Sequence, residues 1–324
     1  MKAILCTKPG GPDDLQYADL PDPVAGPGEA VVQVEAAGLN FFDTLIIAGK
    51  YQTKPTFPFS PAAEFAGEVE SVAAGVTAVA PGDRVAGYMR YGAARERLAI
   101  AAHKLVKLPD RLDFDRAAGL IVTYGTSYYA LKDRARLKPG ESLAVLGASG
   151  GVGLAAVELG KLMGARVIAC ASSPDKLVFA REHGADVLID YVSEDLKEAL
   201  RRVTEGRGAD VIYDPVGGPY AEAALRAIAW EGRFLVVGFA AGEIPKIPFN
   251  LMLLKSCDVR GVYWGQWTER DPDGDRSNLA ELMRWCADGK LSAHIHAVYP
   301  LSETAQALKA IAARQVMGKV VVRP

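Results

Sequence analysis

Four cysteines, Cys6, Cys170, Cys257 and Cys286, are all that the 324-residue chain contains, far apart and with no C-x-x-C pair. That usage excludes a disulfide framework and fits plain buried thiols kept reduced in a cytoplasmic protein. Excess charge of one sign is missing too. With 37 basic and 39 acidic residues the net charge is −2, which gives no electrostatic case for nucleic acid or an anionic membrane as a partner. No apolar run approaches the length of a membrane span, and Met1 to Leu5 gives way at once to Thr7-Lys8-Pro9-Gly10-Gly11, so no signal peptide is expected. Internal repeats and low-complexity tracts are absent as well. What remains is a chain that is 50% hydrophobic, able to bury large cores and longer than a usual single domain, as expected of an enzyme built from two domains.

The most informative stretch is Glu141 to Gly153, ESLAVLGASGGVG. Leu143 to Leu146 suits a central parallel strand, and from Val152 apolar residues recur at helical spacing. Between them Ala148, Ser149, Gly150, Gly151, Val152 and Gly153 form a variant of G-x-G-x-x-G whose first glycine is alanine. In such a turn Gly150 lets backbone approach a pyrophosphate, Gly153 lets helix pack on strand, and the helix N-terminus supplies N–H donors and a favourable dipole. A tight strand-to-helix turn without a ligand needs fewer glycines.

Arg166 to Ala171 reads as the next strand of a βαβ unit, and its end is where an acid would grip the ribose hydroxyls of NAD. Ser172 stands there instead. Ser172, Ser173 and Lys176 offer two hydroxyls and a cation, suited to a 2′-phosphate and hence to NADPH. In the competing reading Asp175 holds the ribose and Lys176 is a solvated charge, Pro174-Asp175 being an ordinary helix start. Around this unit the first third of the chain is β-rich, with strands expected at Ala30–Ala36, Glu64–Val72 and Arg84–Gly87. From about Tyr124 strands and helices alternate, with strands at Asp186–Tyr191, Asp210–Asp214, Arg233–Phe239 and Val259–Trp264, which indicates an α/β doubly wound parallel sheet. Helices at Ser277–Asp288 and Glu303–Arg314 and strands at Ile295–Tyr299 and Lys319–Val322 complete the reading.

Five segments together resemble a medium-chain dehydrogenase/reductase of the zinc-free quinone oxidoreductase (zeta-crystallin-like) branch, over the whole of Met1 to Pro324: AAGLNFFD from Ala36, PAAEFAG from Pro61, GDRV from Gly82, Ala148 to Gly153, and GKVV from Gly318. The resemblance implies a Rossmann doubly wound parallel sheet inserted into a partly open β-barrel, the GroES-like catalytic domain. Residues 1–122 and 265–324 would form the catalytic domain and 123–264 the NADP-binding domain. Zinc alcohol dehydrogenases of this superfamily place a ligand cysteine where Asn40 stands and a histidine where Ala63 precedes Glu64, and a four-cysteine zinc lobe falls where Ala86 to Ala102 has no cysteine. Catalytic zinc needs three protein ligands, and the pair His294 and His296 has no third, so no metal is expected.

Without metal, hydride transfer still suits an acceptor that is already electrophilic, a quinone or an α,β-unsaturated carbonyl, whose developing oxygen charge hydrogen-bond donors stabilise. The resemblance assigns Asn40 and Tyr51 to that task, Tyr51 being open also to the reading of a core aromatic with its hydroxyl at the surface. It likewise places Thr123 and Thr126 near the nicotinamide and phosphates, Tyr191 beside Lys176 at the adenosine phosphate, and Phe239 at a strand's carboxyl end. Arg314 either reaches cofactor phosphate or complements its own helix C-terminus. Tyr263, Trp264 and Trp267 are expected to wall the substrate site or a subunit interface. The apolar strand near Val259 suggests a homodimer. An enoyl-CoA or alkenal reductase, with Arg90, Arg95 and Arg97 lining an acyl channel, is the alternative, and a nucleotide-binding protein without turnover is a third class.

The preference for NADPH is testable at Lys176. A charge-assisted hydrogen bond is worth ~1.5–3 kcal/mol, so Lys176→Ala weakens NADPH roughly 10- to 100-fold and leaves NADH nearly unchanged. Equal weakening of both dissociation constants would assign the ribose to Asp175 instead.

Overall fold

The computed structural model describes residues 1–324. Contacts within the chain divide it into two compact units, Met1–Val122 with Leu279–Pro324, and Thr123–Asn278. The chain leaves the first unit inside the helix Phe114–Tyr128 and returns inside the helix Pro272–Ala287. That return lies after residue 278, later than the 264/265 position read from the sequence. Aromatic and polar packing within the second unit holds the extra segment: Trp267 stacks on Tyr129 with ring centroids 4.5 Å apart. Trp264 donates its indole N–H to Asp275 at 3.0 Å, and Lys132 reaches Asn278 at 2.8 Å.

In the first unit the strand Glu29–Leu39 is the organising element. Its run of Val31, Val32 and Val34 suits a pleated, largely buried surface. It pairs along its length with Glu64–Val72, while its first half pairs with Arg97–Ala101 and its last residues with Lys319–Arg323. Arg84–Tyr88 and Leu105–Lys107 extend the sheet on one side and Ile295–Pro300 on the other, giving seven strands around a core that includes Val32, Leu39, Phe65, Leu98 and Val322. Among the elements that escaped the sequence reading are a two-stranded pair and a helix that bears on the site. Lys2–Leu5 pairs with Gln16–Asp19, and a seven-residue helix, Phe41–Ile47, follows directly on Asn40.

The second unit is a six-stranded parallel sheet in the order Val187–Asp190, Arg166–Ala171, Ser142–Leu146, Ala209–Asp214, Ile228–Val236, Asp258–Gly261. Numbered from its own first strand this is the doubly wound order 3-2-1-4-5-6, which reverses between Ser142–Leu146 and Ala209–Asp214, the place where such sheets take ligands. Leu143 to Leu146 are wholly buried, as a central strand covered on both faces requires. Two expected strands end earlier than read, the first of them also starting earlier, at Ile228. The strand predicted to reach Phe239 ends at Val236, because the N–H groups of Val237 and Gly238 both converge on the Asp214 carbonyl and leave the ladder. The one predicted to reach Trp264 ends at Gly261, and Trp264 starts a helix.

The turn after Leu146 differs from the motif in one respect. The left-handed residue that lets the chain reverse is Gly147, at φ +61°, one position before Ala148, whose own N–H bonds the Cys170 carbonyl. Gly150 takes ordinary extended angles as the cap of the helix Gly151–Leu162. A side chain at Gly150 would meet only the Gly147 carbonyl at 3.5 Å, whereas a Cβ at Gly153 would lie 2.1 Å from that same oxygen. The two glycines therefore have separable roles. Gly150→Val keeps the melting temperature of the wild type and loses dinucleotide binding, while Gly153→Ala overpacks backbone against backbone and costs about 1–3 kcal/mol or more of stability. Thermal unfolding together with nucleotide titration reads both, and tight nucleotide binding by a folded Gly150→Val protein would refute the first role.

Candidate functional site

Three strand ends meet at Asn40. Gly38 pairs with Glu64 on one side and Val321 on the other, so Asn40 at the end of its strand lies beside the first residues of the other two, Glu64 and Lys319. Asn40 also precedes the helix Phe41–Ile47, where an asparagine side chain ordinarily accepts from the helix's free N–H groups. Here the side chain is drawn elsewhere. Its Nδ2 donates to Glu64 Oε1 at 2.8 Å, and its Oδ1 accepts from Lys319 Nζ at 2.8 Å. Lys319 Nζ also donates to Glu64 Oε1 and to the Leu39 carbonyl, both at 2.7 Å, and the Val122 N–H donates to Glu64 Oε2 at 2.6 Å.

Asp43 completes the group as a capping residue: it accepts from the Asn40 N–H at 2.7 Å and from the Ala62 N–H at 3.1 Å. Complete burial pushes the Asp43 carboxyl up to about 7, with Glu64 adding to the rise, while the two N–H donors and the Lys319 charge pull the other way. All four residues are buried; Asn40 keeps the most surface, 8%, and Lys319 keeps 3%. Tyr51, the other residue read as catalytic, packs its ring on Phe42 at 5.5 Å against the same core. Glu64 and Lys319 were missed as site residues. The signal was present, since an acid and a base each open a strand and are followed there by apolar residues, but only pairing brings them together.

No group of three or more His, Cys, Asp or Glu side chains lies close enough to hold a metal ion. His294 precedes the strand Ile295–Pro300, and His296 within it is exposed. Of the arginines considered for an acyl channel, Arg97 is tied to Glu70 at 2.8 Å, and Arg95 is desolvated with its Nε unpartnered.

In the second unit the glycine turn lies at the N-terminus of a twelve-residue helix whose first-turn N–H groups, those of Gly151, Val152 and Gly153, lack intrahelical acceptors. Ser127, also unremarked in the sequence, fastens this turn by donating to the Val152 carbonyl at 2.9 Å and meeting the Tyr213 hydroxyl at 2.8 Å. Thr123 and Thr126 lie with Ser127 on the helix Phe114–Tyr128, Thr123 buried and Thr126 half-buried. At the end of the neighbouring strand Lys176 Nζ donates to Ser172 Oγ at 3.3 Å, while Ser173 caps the helix Pro174–Glu182 and Asp175 lies in its first turn. Tyr191 comes beside them because its N–H bonds the Ala171 carbonyl, and its ring rests on Tyr220 at 4.3 Å. Phe239 is part-exposed beyond its strand, against the Gly217 turn. Arg314 belongs to the first unit, exposed and left-handed just past the helix Thr304–Ala312. Of the three aromatics, Trp264 and Trp267 pack within the second unit and Tyr263 is exposed.

Comparison with known proteins places these features in a family. Residues 26–110 match the alcohol dehydrogenase GroES-like domain and residues 151–287 the zinc-binding dehydrogenase domain. A quinone oxidoreductase-like protein 2 homolog of Nematostella vectensis is 39% identical, covering 99% of this chain and 88% of its own length. A quinone oxidoreductase of Pseudomonas aeruginosa is 35% identical, with 97% of each chain covered. Among solved structures, the Escherichia coli quinone oxidoreductase complexed with NADPH superimposes with a TM-score of 0.92 at 29% identity, covering 100% of both chains. The chain is thus an oxidoreductase and belongs to the medium-chain dehydrogenase/reductase superfamily, in its quinone oxidoreductase branch.

Proposed function

We propose that this oxidoreductase uses NADPH, without metal, to reduce quinones and related conjugated carbonyls, and that the first unit supplies the catalytic groups and the second the cofactor site. The observation that carries the reading is the Asn40 amide, fixed between Lys319 and Glu64 at the position where zinc enzymes of the superfamily hold a metal-ligating cysteine. For the cofactor, the glycine turn fits a pyrophosphate, because Gly150 leaves room for it and the helix N-terminus faces it with N–H donors. Ser172, Ser173, Lys176 and Tyr191 would hold the adenosine 2′-phosphate, and Thr123, Thr126 and Phe239 the remainder. Lys176 and Ser172 bond one another, which brings a cation and a hydroxyl together at the strand end and supports this assignment.

NADPH, when held there, would supply the hydride. The chain's own task is to receive the charge that follows. As hydride reaches a conjugated carbon of the acceptor, the electron pair moves to the carbonyl oxygen, where the second N–H of Asn40 donates. A proton on that oxygen, or on the adjacent carbon of an enolate, completes the reduction, and Tyr51 is the assigned donor. The same donors serve quinones, alkenals and enoyl thioesters. Quinones are favoured by the names the relatives carry and by the engagement of Arg97 with Glu70, which removes one cation from an acyl channel.

Two further parts of the proposal concern setting. Four buried free thiols suit a reducing cytoplasm. The strand Asp258–Gly261 ends the sheet with an open edge, near exposed Phe249, Leu253 and Leu254, which suits pairing with a second copy across a two-fold axis. Sedimentation at assay concentration is expected to give a dimer that Val259→Pro dissociates; a monomeric wild type overturns this part.

The activity is tested by NADPH oxidation across ortho- and para-quinones, alkenals and enoyl-CoA esters, before and after exhaustive chelation. Quinones are expected to turn over fastest, chelation to change nothing, and Asn40→Ala to lower kcat on the order of 100-fold. Preference for enoyl-CoA selects the alternative, activity restored by zinc alone defeats the metal-free chemistry, and cofactor binding with no turnover of any acceptor defeats the enzyme reading.

A further inference from the structure

We propose that Lys319 and Glu64 are positioning residues: together they fix which way the Asn40 amide faces, so that a nitrogen and never an oxygen is presented to the acceptor. The proposal rests on Asn40 being the donor named above. An asparagine amide is nearly symmetric in shape, and its two ends differ only in that one donates and the other accepts. A lone Asn40 at a strand end could therefore present either. Lys319 has only donors and the Glu64 carboxylate only acceptors, and they contact opposite ends of the amide, Oδ1 and Nδ2, each at 2.8 Å. A flipped amide would set N–H against ammonium and carbonyl against carboxylate, losing two charge-assisted hydrogen bonds and creating two repulsions.

Valence separates the roles of the three side chains. Lys319 has three N–H groups and spends all three, on Leu39, Asn40 and Glu64, so it has none for a substrate. Glu64 uses one oxygen for Asn40 and Lys319 and the other for the Val122 N–H. Asn40 uses Oδ1 and one N–H, and keeps one N–H. The donor left over among these three side chains is on Asn40, the most exposed of them.

The surroundings hold the pair rigidly. Side-chain exposure is 4% for Lys319 and 0% for Glu64. A Cβ on Gly38 would fall 2.7 Å from Glu64 Oε1 and 2.5 Å from the Ala118 carbonyl, and one on Gly119 would touch the Lys319 stem at 3.4 Å and Ile295 at 2.8 Å. Neither glycine has a positive φ, so space for the ion pair, not backbone conformation, is what a larger residue would remove. A buried ion pair is weak as a stabilising device, since each ion loses several kcal/mol of hydration, and well-packed apolar residues often do as well. Control of one amide gives it another use.

A double-mutant cycle tests this. Lys319→Met, Lys319→Arg and Glu64→Gln are made in the wild type and in Asn40→Ala, and kcat for quinone reduction is read beside the NADPH dissociation constant and the melting temperature. Lys319→Met is expected to lower kcat nearly as far as Asn40→Ala does, on the order of 100-fold, with NADPH binding unchanged, and to lower it less than threefold further when Asn40 is already alanine. Lys319→Arg, which keeps a cationic donor, recovers part of the rate. Glu64→Gln, whose amide oxygen still accepts, falls less than Lys319→Met and likewise loses its effect in Asn40→Ala; it carries the cycle if Lys319→Met does not fold. Effects that multiply in the Asn40→Ala background overturn the positioning role while leaving the donor role intact. An Asn40→Ala enzyme with wild-type kcat overturns both.

Discussion

The ion pair between Lys319 and Glu64 joins residues 255 positions apart in the chain and, through Asn40, ties together the ends of three strands. Everything in the first unit is arranged so that this can happen. The strand Glu29–Leu39 accepts Glu64–Val72 on one edge and, from the end of the chain, Lys319–Arg323 on the other, and the core of valines, leucines and Phe65 holds those edges in register. Because a sheet slip of one residue turns every side chain to the opposite face, the buried pair and the apolar pattern enforce the same register. Breaking the pair would leave an uncompensated charge inside the sheet, which is a larger penalty than the pair's own net contribution.

A second constraint governs the other unit, and it is steric. The strand Ser142–Leu146 and the helix Gly151–Leu162 approach so closely that only glycine fits at Gly153, and the chain can turn between them only because Gly147 is left-handed. The helix N-terminus is thereby carried to the switch point of the sheet, and Ser127 fastens it there through the Val152 carbonyl. The same parallel order brings the ends of Arg166–Ala171 and Val187–Asp190 side by side, so that Ser172, Lys176 and Tyr191 form one group although they are spread over twenty positions of sequence.

The two sites differ in how their polar groups are supported. In the second unit, donors belong mostly to backbone and to short hydroxyl side chains, fixed by the turn itself. In the first, the Asn40 amide is held between a buried cation and a buried carboxylate, with Asp43 bonding the helix start. Asn40 is consequently pulled away from the capping role that its position at a helix start would otherwise give it.

Local order was legible in the sequence wherever a short pattern dictates it. Alternation announced strands such as Ala30–Ala36 in the first unit, continuous apolar runs announced those of the second, and the run from Leu143 to Gly153 announced the turn and its helix, because period and glycine content act over a few neighbouring residues. The family resemblance located Asn40 for the same reason, by a short segment. What tertiary structure alone decided were the partners. Lys319 and Glu64 lie at opposite ends of the chain and carry no local sign of one another; the packing of Trp264 and Trp267 into the second unit, and the later return of the chain after Asn278, depend on surfaces assembled from distant segments. A sequence fixes what each stretch can form, through backbone sterics and apolar period, while the pairing of a buried charge is settled only when the sheet has closed and solvent is no longer there to satisfy it.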